Sequence, residues 1–481
     1  MADALGAVRV DYEDQFAVAR FAGDVPVAVI AVAGGLATMA GTWWRVSGSR
    51  RACPAACCQW PVGLWWTVGM SPKSRGRPAG RGKPKTRRQA PARSLRLSDR
   101  LVRAARELLT YTDRLEVEQW ASGWLGQAWL DAPLGERDPE GMFILEVVGR
   151  CSTHPSPHGL AAVTALRMVA APGEHKLLDG TIDILRESQP APAWPDAAFQ
   201  PARALRAVDL YDSERVLFIE YGTHTLLAQI LTTGGVVVEQ LRLLQVGAAD
   251  AWIDLREADE VPMPIEEVPV ADALAELADA LWHTDMVWPR QDDEDFVELR
   301  ALAWARCRAY RQDRPDFVSL SAAERDELVE AFVGRTTDSE AYRTLADLFL
   351  DYGDGYLNNR PLGWSPGAVG MFLTDWLPRK ALLDAEDRAA LPDALRGWVR
   401  FALERRGVAD EWITPVVDAV DMWLPEFEAA VDDESSWGPA KQIMAELTAR
   451  GVDLGDKDAV DGVIRQLNAA NLARRLMDPP L

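Results

Sequence analysis

Positive charge is concentrated in one stretch of this 481-residue chain, and that stretch cannot belong to a packed core. Residues 71–100 hold eleven Lys and Arg against a single acid, Asp99, a local net charge of +10. No aromatic and no large apolar residue occurs in it before Leu95. Such a composition buries too little surface to offset the entropy of ordering, so the segment is expected to be disordered. The whole chain carries −21 and the first seventy residues balance five acids against five bases, so the residues from 101 onward hold −31. A basic strap therefore joins an apolar leader to a strongly acidic body.

The totals describe an ordinary globular protein outside that strap. Hydrophobic residues make up 48% and charged residues 26%, and the length allows two or three domains. The acidic balance disfavours nonspecific nucleic-acid binding by the body itself. Three of the five cysteines (Cys53, Cys57, Cys58) lie in the leader, which leaves Cys151 and Cys307 in the body. That is no disulfide framework, and it suits a reducing, cytoplasmic setting.

The leader, 1–70, admits several readings. Residues 25–44 are an uncharged run of twenty, followed by Arg45, Arg50 and Arg51. At about 1.5 Å per residue such a run just spans a ~30 Å hydrocarbon core, with the body on the cytoplasmic side. The run is rich in Ala and Gly, and its acidic flank (Asp11, Glu13, Asp14, Asp24) is unlike a secretory signal. The alternatives are a mis-assigned start, with Met70-Ser-Pro-Lys opening the natural chain, a disordered leader, or a small packed extension.

Within the strap, Arg75-Gly76-Arg77-Pro78 is followed by Arg81-Gly82-Lys83-Pro84 and by Lys85, Arg87 and Arg88. The first tetrapeptide resembles the Gly-Arg-Pro core of AT-hooks. The resemblance implies an extended peptide in the minor groove: Gly permits close backbone approach, Pro holds direction, and Arg enters the narrow negative groove. Ser74 stands where that family usually has Pro, and the second copy has Lys83 for Arg. The plainer reading is a solvated tail whose partner is nucleic acid or an acidic surface, the acidic body included.

The body is expected to be α+β: helices with a small antiparallel β-meander, followed by an all-α C-terminal domain. Helical spacing runs from Leu101 to about Leu130, a short apolar run covers Phe143 to Val148, and further helical stretches cover 159–169 and 176–186. From Ala202 the period changes. Four runs, 204–209, 215–221, 224–231 and 236–244, are separated by Tyr211-Asp-Ser, Gly222-Thr and Thr233-Gly234-Gly235, which are hairpin-type turns. Residues 256–270, with Pro262, Pro264 and Pro269, read as a linker. Beyond it only helices are expected. Ser321-Ala-Ala-Glu324 and Thr337-Asp-Ser-Glu340 are capping-box patterns, the second opening a helix that ends at Gly353. Trp364-Ser365-Pro366 supplies an N-cap serine with proline at the first helical position. The division expected is a leader 1–70, a basic tail 71–98, an α+β domain 99–255, a linker 256–270 and a helical domain 271–481.

Asp375-Trp-Leu-Pro-Arg-Lys380, Trp398-Val-Arg-Phe-Ala402 and Gly149-Arg-Cys-Ser-Thr-His-Pro-Ser-Pro-His-Gly159 give residues 99–475 a resemblance to an uncharacterised family of high-GC actinobacteria. The resemblance implies a fold and a bacterial cytosolic setting, and brings no activity.

Two constellations have chemical potential. Cys151, His154 and His158 place three metal-capable side chains in eight residues, as a zinc site needs, although Pro155 and Pro157 interrupt any helical presentation. A metal-assisted hydrolase would use them. Glu220 and His224 flank a hairpin turn, with Asp209 one strand earlier, as in a proton-transfer pair or a polar cross-strand pair. Asp351-Tyr-Gly-Asp354 lacks calcium-loop spacing. There is no Walker loop, nucleotide-fingerprint glycine set or Gly-x-Ser-x-Gly, so no cofactor is expected. The reading that follows is a non-enzymatic interaction protein whose basic arm contacts nucleic acid or an acidic partner.

Overall fold

The computed structural model describes residues 9–13, 16–20 and 26–31 and, with short internal gaps, residues 96–477. In the leader, strands β1 (Arg9–Glu13), β2 (Phe16–Arg20) and β3 (Pro26–Ala31) pair in antiparallel order. Of the apolar run 25–44, only that last strand falls within the described residues. Among the described residues no helix is long and apolar enough to cross a membrane.

Five helices open the body: α1 (Leu97–Ala104), α2 (Arg114–Leu130), α3 (Pro139–Thr153), α4 (Pro157–Val169) and α5 (Pro172–Arg186). Three begin with proline at the first helical position, where the missing N–H is no loss. The single helix expected over 101–130 is two. A 3₁₀ turn, Glu107–Thr110, follows α1, and Asp113 accepts a hydrogen bond from Leu115 N at 2.9 Å to cap α2. The apolar run 143–148 is the middle of α3 rather than a separate element.

The meander follows as β4 (Arg203–Val208), β5 (Glu214–Glu220), β6 (Thr225–Leu231) and β7 (Val237–Leu244). All pairings are antiparallel, in the order β7-β6-β5-β4-β8, where β8 is Ile265–Val268. The segment 256–270, read from its prolines as a linker, thus contributes an edge strand. A four-residue edge flanked by Pro264 and Pro269 is a position that tolerates proline. Leu205 faces Glu267 and Arg206 faces Glu266 across the β4–β8 ladder. Arg203 Nε meets Glu267 Oε2 at 3.0 Å, and Arg206 Nε meets Glu266 Oε1 at 3.2 Å.

Period-two alternation buries both faces of the sheet. Leu217, Ile219, Leu226, Ala228 and Leu241 pack under α7 (Val270–Met286) and α8 (Glu294–Cys307). Val216, Phe218 and Leu227 pack with Ala249 and Trp252 of α6 (Ala248–Leu255) on the other face. The sheet therefore draws half its cover from beyond the proline-rich segment. Helix α8 also lies along α2, and the approach is close: a Cβ on Gly126 would stand 1.8 Å from the Val297 carbonyl oxygen.

An all-helical region follows: α9 (Ala322–Val333), α10 (Glu340–Tyr356), α11 (Pro366–Met371), one π-helical turn Phe372–Trp376, α12 (Leu377–Lys380), α13 (Ala385–Arg405), α14 (Asp410–Val431), α15 (Pro439–Ala449) and α16 (Lys457–Met477). The capping box at Ser321–Glu324 forms, and Ser365 caps α11 as its sequence implies. At the other expected box the cap is Ser339, which accepts from Tyr342 N, and α10 continues past Gly353 to Tyr356. The core of this region is aromatic, with Trp364, Trp398, Tyr352, Phe349 and Phe372 fully buried. Architecture is thus α+β with an antiparallel meander, followed by helices alone.

Candidate functional site

The basic residues singled out in the strap, Arg75 to Arg88, lie outside the described residues. The remaining candidates can be placed.

Cys151 sits on α3 with 1% of its surface exposed, packed in the apolar cluster of α2–α5, and burial pushes its thiol up to about 11. His154 is the exposed C-cap of the same helix. His158 belongs to the first turn of α4, with Nε2 3.2 Å from the hydroxyl of Ser156. Burial and the charge of Arg106 hold its pKa below the usual histidine value. Pro157 starts α4 rather than merely breaking a helix, so the three side chains straddle a corner between two helices. Among the described residues no group of three His, Cys, Asp or Glu is arranged to hold a metal ion.

Glu220 and His224 flank their hairpin, but no hydrogen bond joins them. The His224 ring stacks on Tyr221 with centroids 5.1 Å apart, meets Phe199 edge-on at 4.8 Å, and has Nδ1 3.0 Å from Thr223 Oγ1. Burial, then the charge of Arg306, lowers its pKa to about 4. Asp209 caps its own turn, accepting from Ser213 N and Ser213 Oγ, each at 2.6 Å. What the hairpin does join is a buried ionic chain. The Arg306 guanidinium lies over the Tyr221 and Phe199 rings and pairs with Glu118, whose other oxygen takes Arg114 Nε at 2.7 Å. His224 Nε2, Tyr221 Oη and Arg306 Nε, all buried, have no hydrogen-bond partner among the described residues. In the Asp351–Asp354 stretch, Arg325 lies 2.8 Å from Asp351 Oδ1 and 3.7 Å from Asp354 Oδ2, an ion-paired helix face.

A cleft of about 310 Å³ opens where the sheet meets the helical region, lined by Asp212, Arg360, Pro361, Leu362, Gly363 and Arg406. Its sheet wall is the β4–β5 turn. Asp212 N donates to Asp209 O at 3.0 Å, and Asp212 adopts φ 57°, the left-handed region that Asp tolerates better than most side chains. Among the described residues it is the sole non-glycine with positive φ. Its helical wall is the Arg360–Gly363 turn, closed by Gly363 N donating to Arg360 O at 2.8 Å. This turn is pressed against α10 so closely that a Cβ on Gly353 would stand 2.4 Å from Pro361 Cα.

Arg360 spans the two walls. It pairs with the Asp212 carboxylate and carbonyl, donates Nη2 to Thr232 Oγ1 at 2.8 Å, and donates Nε to Leu357 O at 3.0 Å. Asp212 in turn pairs with Arg215, which reaches Glu276 at 2.7 Å. Two arginines acting on Asp212 hold its carboxyl below the usual aspartate value despite burial. Arg406, the C-cap of α13, donates Nη1 to Tyr211 O at 3.0 Å and Nη2 to Leu210 O at 3.1 Å. Among the described residues no carboxylate lies within ion-pair distance of it, and its Nε–H takes no partner. The sequence carries no signal for this arrangement: Arg360 reads as part of a Pro–Gly turn and Arg406 as a basic helix end, 148 and 194 residues from Asp212.

Comparison of the chain with protein-family models, with curated proteins and with solved structures finds no match.

Proposed function

We propose that the chain is a non-enzymatic interaction protein of the cytoplasm, an acidic folded body that presents a basic arm, residues 71–100 with the last four ordered as the start of α1, to nucleic acid or to an acidic protein surface. The observation that carries the reading is the segregation of charge: +10 within thirty residues, ahead of a body at −31. The body's own arginines support it, because many are already engaged by carboxylates. Arg300 bridges Glu140 and Asp285, Arg343 bridges Glu330 and Asp338, and Arg396 bridges Asp393 and Asp421. A polyanion therefore meets its densest run of cations in the arm. The cytoplasmic setting rests on Cys151 and Cys307, both buried free thiols.

The test compares the full chain with a form lacking residues 71–97, in mobility-shift titrations against A·T-rich duplex, single-stranded RNA and polyglutamate at two salt concentrations. Binding that requires the arm and weakens steeply with salt is expected, since each neutralised phosphate releases counterions. Preference for the A·T-rich duplex would assign the Arg75–Pro78 motif to the minor groove, and preference for polyglutamate would assign the arm to acidic proteins. Equal binding by both forms, or none by either, overturns the reading.

A further inference from the structure

The cleft between the β4–β5 turn and the Arg360–Gly363 turn inverts the sign of the body around it. It faces two guanidinium groups and one carboxylate, and that carboxylate already serves Arg360 and Arg215. Among the described residues Arg406 has backbone carbonyls alone on its outer nitrogens and no partner on Nε–H. A guanidinium presents its donors in a planar fork that suits two oxygens of a carboxylate or phosphate. The wall beneath it is held in a strained backbone conformation at Asp212, which Arg360 and Thr232 Oγ1 clamp through the Asp212 carbonyl. Strain of this kind persists only where surrounding contacts over-determine it, and it clusters at ligand clamps. Leu362 and Pro361 complete the lining, so one side of a ligand meets apolar surface.

We propose that this cleft is a binding site for a small oxyanion-bearing ligand, with Arg406 as its principal contact, Arg360 as the group that fixes the wall, and Asp212 selecting against a second negative charge nearby. The ligand is small because the cleft holds about 310 Å³, and because a long polyanion would meet the acidic surface of the body on either side. The site is separate in sequence from the basic arm.

Isothermal titration of the full chain with inorganic phosphate and with acetate, against sodium chloride at equal ionic strength, tests the assignment. Saturable heat with phosphate or acetate beyond that with chloride is expected, and the anion that saturates names the ligand group. Arg406→Gln should lower the affinity at least tenfold, and Leu362→Trp, which fills the cleft and keeps both arginines, should do the same. If Arg406→Gln fails to fold, Leu362→Trp decides. Binding no stronger than that of chloride overturns the proposal. So does phosphate binding that survives in the folded variants, which would place the anion on the basic arm instead.

Discussion

The phenol of Tyr211 donates a 2.7 Å hydrogen bond to the backbone carbonyl of Trp412, and so plugs the β4–β5 turn of the sheet into the core of the helical region. Tyr211 is 2% exposed and belongs to the same apolar cluster as Trp398 and Ile413, although its neighbours in sequence belong to the sheet. Burial pushes its hydroxyl up to about 12, so it remains a donor throughout the neutral range. Arg406 reinforces the same seam from outside through the Leu210 and Tyr211 carbonyls.

Tyr211→Phe removes the donor and keeps the ring, leaving the Trp412 carbonyl without this partner. The expected loss is about 1 kcal/mol, the usual net worth of one such bond. Tyr211→Ala also empties the ring's site, and the expected loss is roughly 3–5 kcal/mol. Urea unfolding followed by tryptophan fluorescence measures both. Equal losses for the two variants would mean that the ring contributes nothing and would refute the plug.

Stability should fall toward acid because of His224 and toward neutrality because of Glu239. His224 is 4% exposed, and its folded pKa is lowered to about 4, by burial first and Arg306 second. Above pH ~6.5 it is neutral in both states. Between about 6.5 and 4 the unfolded chain takes up a proton that the folded chain refuses, so stability is lost as pH falls, to a total on the order of 3 kcal/mol. Glu239 is the reverse case. Its pKa is raised to about 7 by burial, Glu214 and Asp293, so the unfolded chain releases its proton first and stability is lost as pH rises from about 4.5 to 7. His224→Phe should flatten the acid limb of a melting-temperature profile, and Glu239→Gln should raise the melting temperature at pH 7. A profile unchanged by either variant counts against these assignments.

Local signals carried the meander and the caps, and failed where structure is set by distant partners. Gly222 and Gly234 take positive φ where the turns demand it, so the four strands of the meander fall within a residue or two of their expected bounds. Ser321 and Ser365 cap as their sequence patterns imply. Strand β8 was hidden because Glu266 and Glu267 break any alternation, and it is held by pairing with Arg203 and Arg206 some sixty residues earlier. Proline marked a linker only because proline lacks a donor, which an edge strand can also do without. The cleft was illegible for a related reason. Asp212, Arg360 and Arg406 are ordinary turn and helix-end residues until the packing of Tyr211 brings their segments together.

Gly126 tests how closely α2 and α8 must approach. Alanine favours a helix over glycine by about 1 kcal/mol, so propensity alone predicts that Gly126→Ala stabilises. The structure predicts the opposite, because the new methyl would stand 1.8 Å from the Val297 carbonyl oxygen, a backbone atom that cannot rotate away. Overpacking of this kind costs roughly 1–3 kcal/mol after relaxation, and more where backbone must shift. A lowered melting temperature, with Leu302 N losing its 2.9 Å bond to Ser122 Oγ as slower-protected exchange at Leu302 gives way to faster exchange, is the expected outcome. A raised melting temperature would show that the two helices can separate without loss.

Arg300 ties α8 to three other helices, and its removal should be strongly destabilising. Its side chain is 6% exposed, lies 4.5 Å from the centre of the Trp129 ring on α2, takes both oxygens of Asp285 on α7 at 2.7 Å, and reaches Glu140 on α3 at 2.6 Å. Asp285 also accepts from Trp304 Nε1 at 3.0 Å. Taking away the guanidinium leaves two carboxylates in a poorly solvated seam without the cation that bonds to both, Arg308 acting on them only at longer range, and breaking a buried pair from one side costs roughly 3–5 kcal/mol. Arg300→Gln should therefore lose about that much in denaturant unfolding. Much of the penalty belongs to the stranded carboxylates rather than to the bond, so adding Glu140→Gln and Asp285→Asn to Arg300→Gln should recover part of it. A triple variant no more stable than Arg300→Gln would show instead that the arginine acts by packing against Trp129.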